Sequence, residues 1–157
     1  MSDTLVIYFS NTNTTKKVAE ELAKKLNADT YRIEAAQPYT PADLNWRNDS
    51  CRANREQRDD NAHPSYAGQL PDTSEYSRIV IGHPTWWGIP PKIIGTVIKD
   101  LNLNGKEVAT FSTSGGSGYS QAQEWIDRWL SKKGCKVIPG NVLNNEEARK
   151  KWLDNLN

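Results

Sequence analysis

Leu5 to Phe9 form an apolar, β-rich run that stops abruptly at a polar turn. No charged residue occurs from Thr4 to Phe9. After the turn, apolar side chains recur three and four residues apart, at Val18, Ala19, Leu22, Ala23 and Leu26. The first pattern is typical of a buried strand and the second of an amphipathic helix. Together they predict a buried strand, a tight loop and the start of a helix.

Six polar residues fill that loop: Ser10, Asn11, Thr12, Asn13, Thr14 and Thr15. A helix start offers unpaired backbone N–H groups and a partial positive charge, which suit an anion such as phosphate. A simple N-cap needs only one such residue, so six in succession favour a phosphate-binding loop over capping alone. The loop contains no Lys or Arg, so dipoles and hydrogen bonds would hold the phosphate. It lacks the Gly-Lys-Ser/Thr of a Walker loop and the glycines of a dinucleotide fingerprint, which argues against ATP, GTP or NAD in those cradles.

The charge balance and the cysteines narrow the class of protein. A length of 157 residues suits one domain, and 20 Lys and Arg against 19 Asp and Glu give no basic excess for nucleic acid. Cys51 and Cys135 lie far apart, outside any metal-type spacing, and are expected to be free thiols. The apolar run near the N-terminus is too short for a signal or a membrane span, so we expect a cytoplasmic protein.

Strand and helix patterns alternate along the chain. After the first pair, strands are predicted at Thr30–Glu34, Ser77–Gly82, Glu107–Phe111 and Lys136–Ile138. Helices are predicted over Ile93–Leu101, around Ala122–Leu130 and after a cap at Asn144 or Asn145. This alternation predicts a parallel sheet covered by helices on both faces. Residues 37–76 are polar, with four prolines, and within them Asp43–Asn61 could form a surface helix. The long segment is expected to be functional or mobile.

Three strands end in loops of unusual chemistry, and all three should emerge at the same edge of the sheet. The second loop, Pro84–Gly88, carries two adjacent tryptophans. Such a pair favours a flat ligand that covers the rings. The alternative interpretation is that one ring packs into the core and the other lies at a dimer contact. The third loop, Ser112–Gly118, is rich in glycine and small hydroxyls, and taken alone it favours a flexible helix cap. Together the loops predict a pocket for a flat heteroaromatic ligand that ends in a phosphate.

In these three loops the chain resembles the flavodoxin-like family, and in particular its short-chain FMN-binding type. Ser10–Thr15 resembles the family's phosphate loop, with Ser10, Thr12 and Thr15 at hydroxyl positions and Asn13 where the family has glycine. Asn tolerates a positive φ better than most residues, so the turn should be kept. The resemblance implies a doubly wound sheet of strand order 2-1-3-4-5 in a single domain, residues 1–157. It also implies that FMN is the cofactor, bound by Ser10, Asn11, Thr12, Asn13, Thr14, Thr15, Pro84, Thr85, Trp86, Trp87, Gly88, Ser112, Thr113, Ser114, Gly115, Gly116 and Gly118.

The family's chemistry implies a role in electron transfer, with a redox partner protein or a small-molecule acceptor. Tyr119 is expected to extend the wall beside the flavin, and His83 to be structural. One alternative is an FMN-dependent NAD(P)H:quinone-type oxidoreductase, which the near-neutral charge and the long segment 37–76 favour. A second alternative is a cofactor-free binding module on the same fold, supported by the departures at Asn13 and Thr14, where the family has Gly and Asn. Neither a catalytic acid–base pair nor a metal-ligand pattern can be read from the sequence.

Overall fold

A computed structural model of the chain describes residues 3–114 and 116–156. Its strands are β1 (Thr4–Tyr8), β2 (Asp29–Arg32), β3 (Arg78–Pro84), β4 (Glu107–Thr113) and β5 (Lys136–Val142). Its helices are α1 (Thr14–Leu26), α2 (Arg52–Arg58), α3 (Lys92–Asp100), α4 (Ser120–Leu130) and α5 (Glu146–Asp154). The five strands form one parallel sheet in the order β2-β1-β3-β4-β5, which confirms the predicted fold class.

Two apolar clusters cover the two faces of the sheet. On one face, Ile7, Ile79 and Ile81 pack with residues of α3 and α4. On the other, Val6, Val80 and Phe111 pack with residues of α1 and α5. Successive residues of a strand point to opposite faces, so a sheet covered on both sides needs strands that are apolar throughout. This explains why the central residues of both strands, Leu5–Ile7 of β1 and Ile79–Ile81 of β3, are all apolar.

Several element boundaries differ from the predicted ones. β4 runs through Ser112 and Thr113, which the sequence had assigned to the third loop, and β3 extends to Pro84. β5 continues past an irregular register near Ala109 to Val142, beyond the predicted end at Ile138. The polar helix within Asp43–Asn61 is limited to the seven residues of α2. The lengths of β3, β4 and β5 are set by their pairing with one another, and local composition does not reveal that pairing.

The segment between β2 and β3 lies against the sheet and the second loop. Ala35 forms an isolated antiparallel bridge with Tyr66, and Tyr39 packs edge-on against Phe9 and Trp86. Lys92 at the start of α3 is buried, and its ammonium donates to the carbonyl of Asp59 (2.9 Å) just beyond α2. This segment therefore has fixed contacts with the rest of the fold. Within the described residues, no helix has the length and apolar character to cross a membrane.

Candidate functional site

The first loop lies between the end of β1 and the start of α1. Asn13, at the N-cap position, has φ 66°, so the predicted left-handed turn is present. Its side chain makes no capping hydrogen bond, and the hydroxyl of Ser10 accepts from the N–H of Lys16 (3.3 Å). The first turn of α1 carries no acidic residue. The positive end of the helix dipole is therefore left without a negative side chain, as an anion site requires.

The second loop is a tight two-residue turn. Trp86 and Ile89 pair across it, with the Trp86 N–H donating to the Ile89 carbonyl (2.9 Å) and the reverse bond at 3.3 Å. The central residues Trp87 and Gly88 have φ 57° and φ 82°. A positive φ is rare for a bulky aromatic residue and is costly unless its surroundings hold it. The turn fixes the two indoles in different environments.

Those environments differ in burial. Trp86 is half-buried and packs edge-on against Phe9 and Tyr39, with ring centroids 6.0 and 5.3 Å apart. Trp87 is 58 % exposed. Its ring stands edge-on to that of Trp46, at 5.9 Å, and Trp46 is 57 % exposed. One ring thus joins the core while the other, with Trp46, forms an exposed aromatic pair at the end of the sheet.

Helix α2 holds this loop from behind through two amide side chains. The buried Asn54 accepts a hydrogen bond from Nε1 of Trp87 (2.6 Å) and donates to the carbonyls of Trp46 (2.9 Å) and Asn48 (3.1 Å). Gln57, one turn later, donates to the carbonyls of Trp86 (2.9 Å) and Pro90 (3.1 Å). Residues three apart on a helix share a face, which is why both amides reach the same loop.

The third loop is tied to the other two. The carbonyl of Thr113 accepts from the N–H (3.0 Å) and the hydroxyl (3.1 Å) of Thr85, and the hydroxyls of Thr113 and Thr15 lie 2.8 Å apart. Asn144, after β5, accepts from the N–H of Ser114 (3.0 Å) and donates to its carbonyl (2.6 Å). The three strand ends are therefore joined by hydrogen bonds, as the expected common edge requires.

These elements enclose one cavity of about 690 Å³ at the carboxyl end of the sheet. Its lining contains no ionisable side chain among the residues that the structure describes. It consists of Ser10, Asn11, Thr12, Thr15, Leu44, Trp46, Ala53, Asn54, Pro84, Thr85, Trp86, Trp87, Thr113, Ser114, Gly116 and Ser117. Eleven of the predicted site residues belong to this lining. Asn13, Thr14, Gly88, Ser112 and Gly118 do not, and Gly115 lies outside the described residues.

Comparisons with known proteins show the family of this chain. A family model described as flavodoxin matches residues 3–156. The chain belongs to the flavodoxin family. No match was found among the curated proteins.

Solved structures resemble this flavodoxin-family chain over nearly its whole length. A candidate flavoprotein from Bacteroides eggerthii is 37% identical, with a TM-score of 0.89, and the match covers 98% of this chain and 97% of that one. A flavoprotein from Lactobacillus acidophilus, solved in complex with FMN, is 25% identical, with a TM-score of 0.73 and coverage of 98% and 99%. Flavodoxin 2 from Bacillus cereus, at 15% identity, a TM-score of 0.57 and coverage of 98% and 94%, shows the shared fold.

Tyr119 does not extend the cavity wall in this family member. It is 7 % exposed, and its hydroxyl lies 2.9 Å from Nε2 of His83 and 2.7 Å from the hydroxyl of Thr110. Burial lowers the pKa of His83 to about 4 and raises the pKa of Tyr119. At neutral pH both groups are uncharged, which a buried site requires. The expectation for Tyr119 was wrong because position after a loop does not reveal the direction of a side chain.

Five lining residues of this family member were missed. One, Ser117, lies within the predicted third loop but was not among the predicted site residues. The other four are Leu44, Trp46, Ala53 and Asn54. These four come from the polar segment 37–76, in which the sequence predicted a surface helix but no site residue. Trp46 is the one signal that could have found them, since a tryptophan within a polar stretch needs a partner. Arg32 was missed as well. It lies in β2 beside the first loop and donates to the carbonyl of Ser10 (2.7 Å).

Proposed function

We propose that this protein binds FMN in the cavity at the carboxyl end of the sheet and transfers electrons through the bound flavin. The observation that carries the proposal is the convergence of three loops on one cavity, with hydroxyls and a helix N-terminus at one end and two indoles at the other. The flavoprotein from Lactobacillus acidophilus, in complex with FMN, matches nearly the full chain and supports the choice of cofactor.

The residues present fit the two ends of FMN. Asn13 is left-handed and its side chain does not cap α1, so backbone N–H groups at the start of the helix are left for a phosphate. Ser10, Thr12 and Thr15 add hydroxyls from the same loop. The exposed ring of Trp87 provides an aromatic surface for a planar ring system, and the small residues Ser114, Gly116 and Ser117 leave room for its polar edge.

Bound FMN supplies the redox chemistry, and the chain sets its environment. Trp87, fixed by Asn54, would orient the ring system and shield it from water on one side. The uncharged lining adds no fixed charge beside the ring, so backbone dipoles would provide the local electrostatics. The electron acceptor would be a redox partner protein or a small molecule. Two free thiols, Cys51 and Cys135, support a reducing compartment such as the cytoplasm.

Flavin binding is tested by comparing FMN with riboflavin, which lacks the phosphate. The double variant Thr12→Ala/Thr15→Ala should weaken FMN binding by about tenfold, since two hydrogen bonds are removed, and leave riboflavin nearly unchanged. Thr73→Ala is the control, because its hydroxyl donates to the Asn102 carbonyl (2.7 Å) away from the cavity. Equal losses for both ligands would show that the phosphate does not bind at this loop.

A reductase that takes hydride from NAD(P)H and passes electrons to a quinone is a second candidate. The observation in its favour is the segment 37–76, which contributes Leu44, Trp46, Ala53 and Asn54 to the cavity. Such a wall would shield a flavin from water during hydride transfer. Stoichiometric oxidation of NADPH in the presence of a quinone would favour the reductase, and absence of turnover by the FMN-loaded protein would favour the electron carrier.

A further inference from the structure

Arg32 is the cationic side chain that the structure bonds to the first loop. Its Nη2 donates to the carbonyl of Ser10 at 2.7 Å and lies 3.4 Å from Oδ1 of Asn13. Arg32 ends β2 and is in register with Tyr8, the last residue of β1, so its side chain comes up beside the loop that follows Tyr8. The loop itself contains no Lys or Arg. A neighbouring strand therefore supplies a positive charge that the loop lacks.

The bond to Ser10 also fixes the direction of a backbone donor. None of the described peptide bonds is cis, and in a trans peptide the C=O and N–H groups point in opposite directions. Because the Ser10 carbonyl faces Arg32, the N–H of Asn11 faces away from it. Asn11 lines the cavity, whereas Arg32 is absent from the described lining. A cation bonded to one end of a peptide also polarises the donor at the other end.

Little in the surroundings cancels this charge. Within the described residues, Arg32 forms an ion pair with Glu34, whose carboxylate lies 3.8 Å from Nε of Arg32 and whose side chain is 68 % exposed. An exposed pair of this kind is weak. Only about a third of the Arg32 side chain is exposed, and its Nε is buried without a hydrogen-bond partner. Because the guanidinium is partly buried, water screens its positive charge less than it would screen the charge of a fully exposed arginine.

We propose that Arg32 is a positioning residue for the phosphate of the bound ligand. It acts through the Ser10–Asn11 peptide and through its charge, without entering the cavity, and it makes the site selective for a doubly charged phosphomonoester over the same molecule without phosphate. The inference rests on the proposed FMN site and adds to it the means by which a loop without basic residues attracts a dianion.

The test is a comparison of FMN and riboflavin binding to the flavin-free protein. Arg32→Met removes the charge and the donor while keeping an unbranched side chain. We expect FMN binding to weaken by about tenfold or more, the effect of one charge-assisted hydrogen bond together with a nearby charge. Riboflavin binding should change by less than about twofold, because a neutral ligand gains little from either.

Arg78→Met is the matched control. Nη2 of Arg78 also donates to a backbone carbonyl, that of Leu156 (2.7 Å), and pairs with a carboxylate, that of Glu107 (3.3 Å). Arg78 starts β3, at the edge of the sheet opposite the cavity. Its removal should lower the free energy of unfolding and leave both ligand affinities unchanged. It therefore separates the general effect of losing an arginine–carbonyl hydrogen bond from the specific effect of losing Arg32 beside the first loop.

Ionic strength and pH give readouts that a merely structural role would not change. Added salt should weaken FMN binding more in the wild type than in Arg32→Met. From pH 5 to 7 a phosphomonoester gains its second charge, with a pKa of about 6, so FMN affinity should rise more steeply with pH in the wild type than in Arg32→Met.

If Arg32→Met does not fold, Arg32→Lys replaces it in these measurements. That variant keeps the positive charge, so its FMN affinity should depend on salt as in the wild type. Its loss of FMN affinity should be smaller than the tenfold loss expected when the charge is removed.

The outcomes are distinct. Equal FMN affinity of wild type and Arg32→Met, equal losses for FMN and riboflavin, or a salt dependence that is the same for both ligands in the wild type would each overturn the role of Arg32 alone. A wild-type protein that binds neither ligand would overturn the proposed function and this inference together.

Discussion

The indole N–H of Trp87 donates a 2.6 Å hydrogen bond to the side-chain oxygen of Asn54, 33 residues earlier in the chain. This bond joins the second loop to α2 and holds a tryptophan in a left-handed conformation. The same amide binds the carbonyls of Trp46 and Asn48. A single buried side chain thus holds the indole of Trp87 and the backbone of Trp46 beside the cavity.

Asn54→Ala should therefore lower stability and loosen the aromatic pair. It leaves one indole N–H and two carbonyls without a partner, so the free energy of unfolding should fall by about 1–3 kcal/mol. Affinity should fall for FMN and riboflavin alike, because both ligands contain the ring system that Trp87 is proposed to contact. Urea unfolding and flavin titration measure the two effects. Gln123→Ala, which removes an amide that binds the Gly140 N–H (2.7 Å) far from the indoles, should change stability only.

Gly88→Ala should disturb the turn beside the proposed flavin site. Gly88 has φ 82°, and an added Cβ would lie 2.5 Å from Oε1 of Gln121. Gly105→Ala is a control for the backbone strain alone, since φ is 77° and no atom lies within 4 Å of its added Cβ. Each variant should lose about 1–2 kcal/mol of stability from the left-handed backbone. Only Gly88→Ala should weaken flavin binding, and a loss of the same size in Gly105→Ala would contradict this assignment.

Asn144→Ala should act on the third loop. Its amide makes two hydrogen bonds to Ser114, and both are exposed to solvent. Stability should change by less than about 1 kcal/mol, while flavin affinity should fall severalfold because the loop loses its anchor. The neighbouring Asn145 caps α5 by accepting from the Ala148 N–H (2.8 Å). Asn145→Ala should show the opposite pattern, with about 1 kcal/mol lost in stability and affinity retained.

The burial of His83 predicts a pH dependence of stability. Its folded pKa of about 4 lies below the ordinary value of 6.5, so between these limits the unfolded chain binds a proton that the folded chain does not. Stability should fall as the pH drops from 6.5 towards 4, by up to about 1.4 kcal/mol per unit from this group. His83→Gln should flatten that part of the profile in urea unfolding. At pH 7.5 the imidazole is neutral in both states, so the difference there reports packing alone.

Sequence patterns captured the sheet and the three loops that line the site. The apolar runs of β1 and β3 and the polar loops after them are local signals, and parallel strands bring their ends together whatever the helices do. The wall formed by Trp46 and Asn54 could not be found in this way. It depends on how the segment 37–76 folds back over the sheet, and that path is set by contacts such as Lys92 with Asp59 and Tyr39 with Trp86. The role of Arg32 was hidden for the same reason, since it acts on a loop about twenty residues away.

The most direct measurement of the central claim is a crystal structure of this protein with FMN. The phosphate should lie among the backbone N–H groups and hydroxyls of Ser10–Thr15, and the ring system should contact Trp87. A phosphate held elsewhere, or a cavity that stays closed to the flavin while FMN binds at another surface, would contradict it.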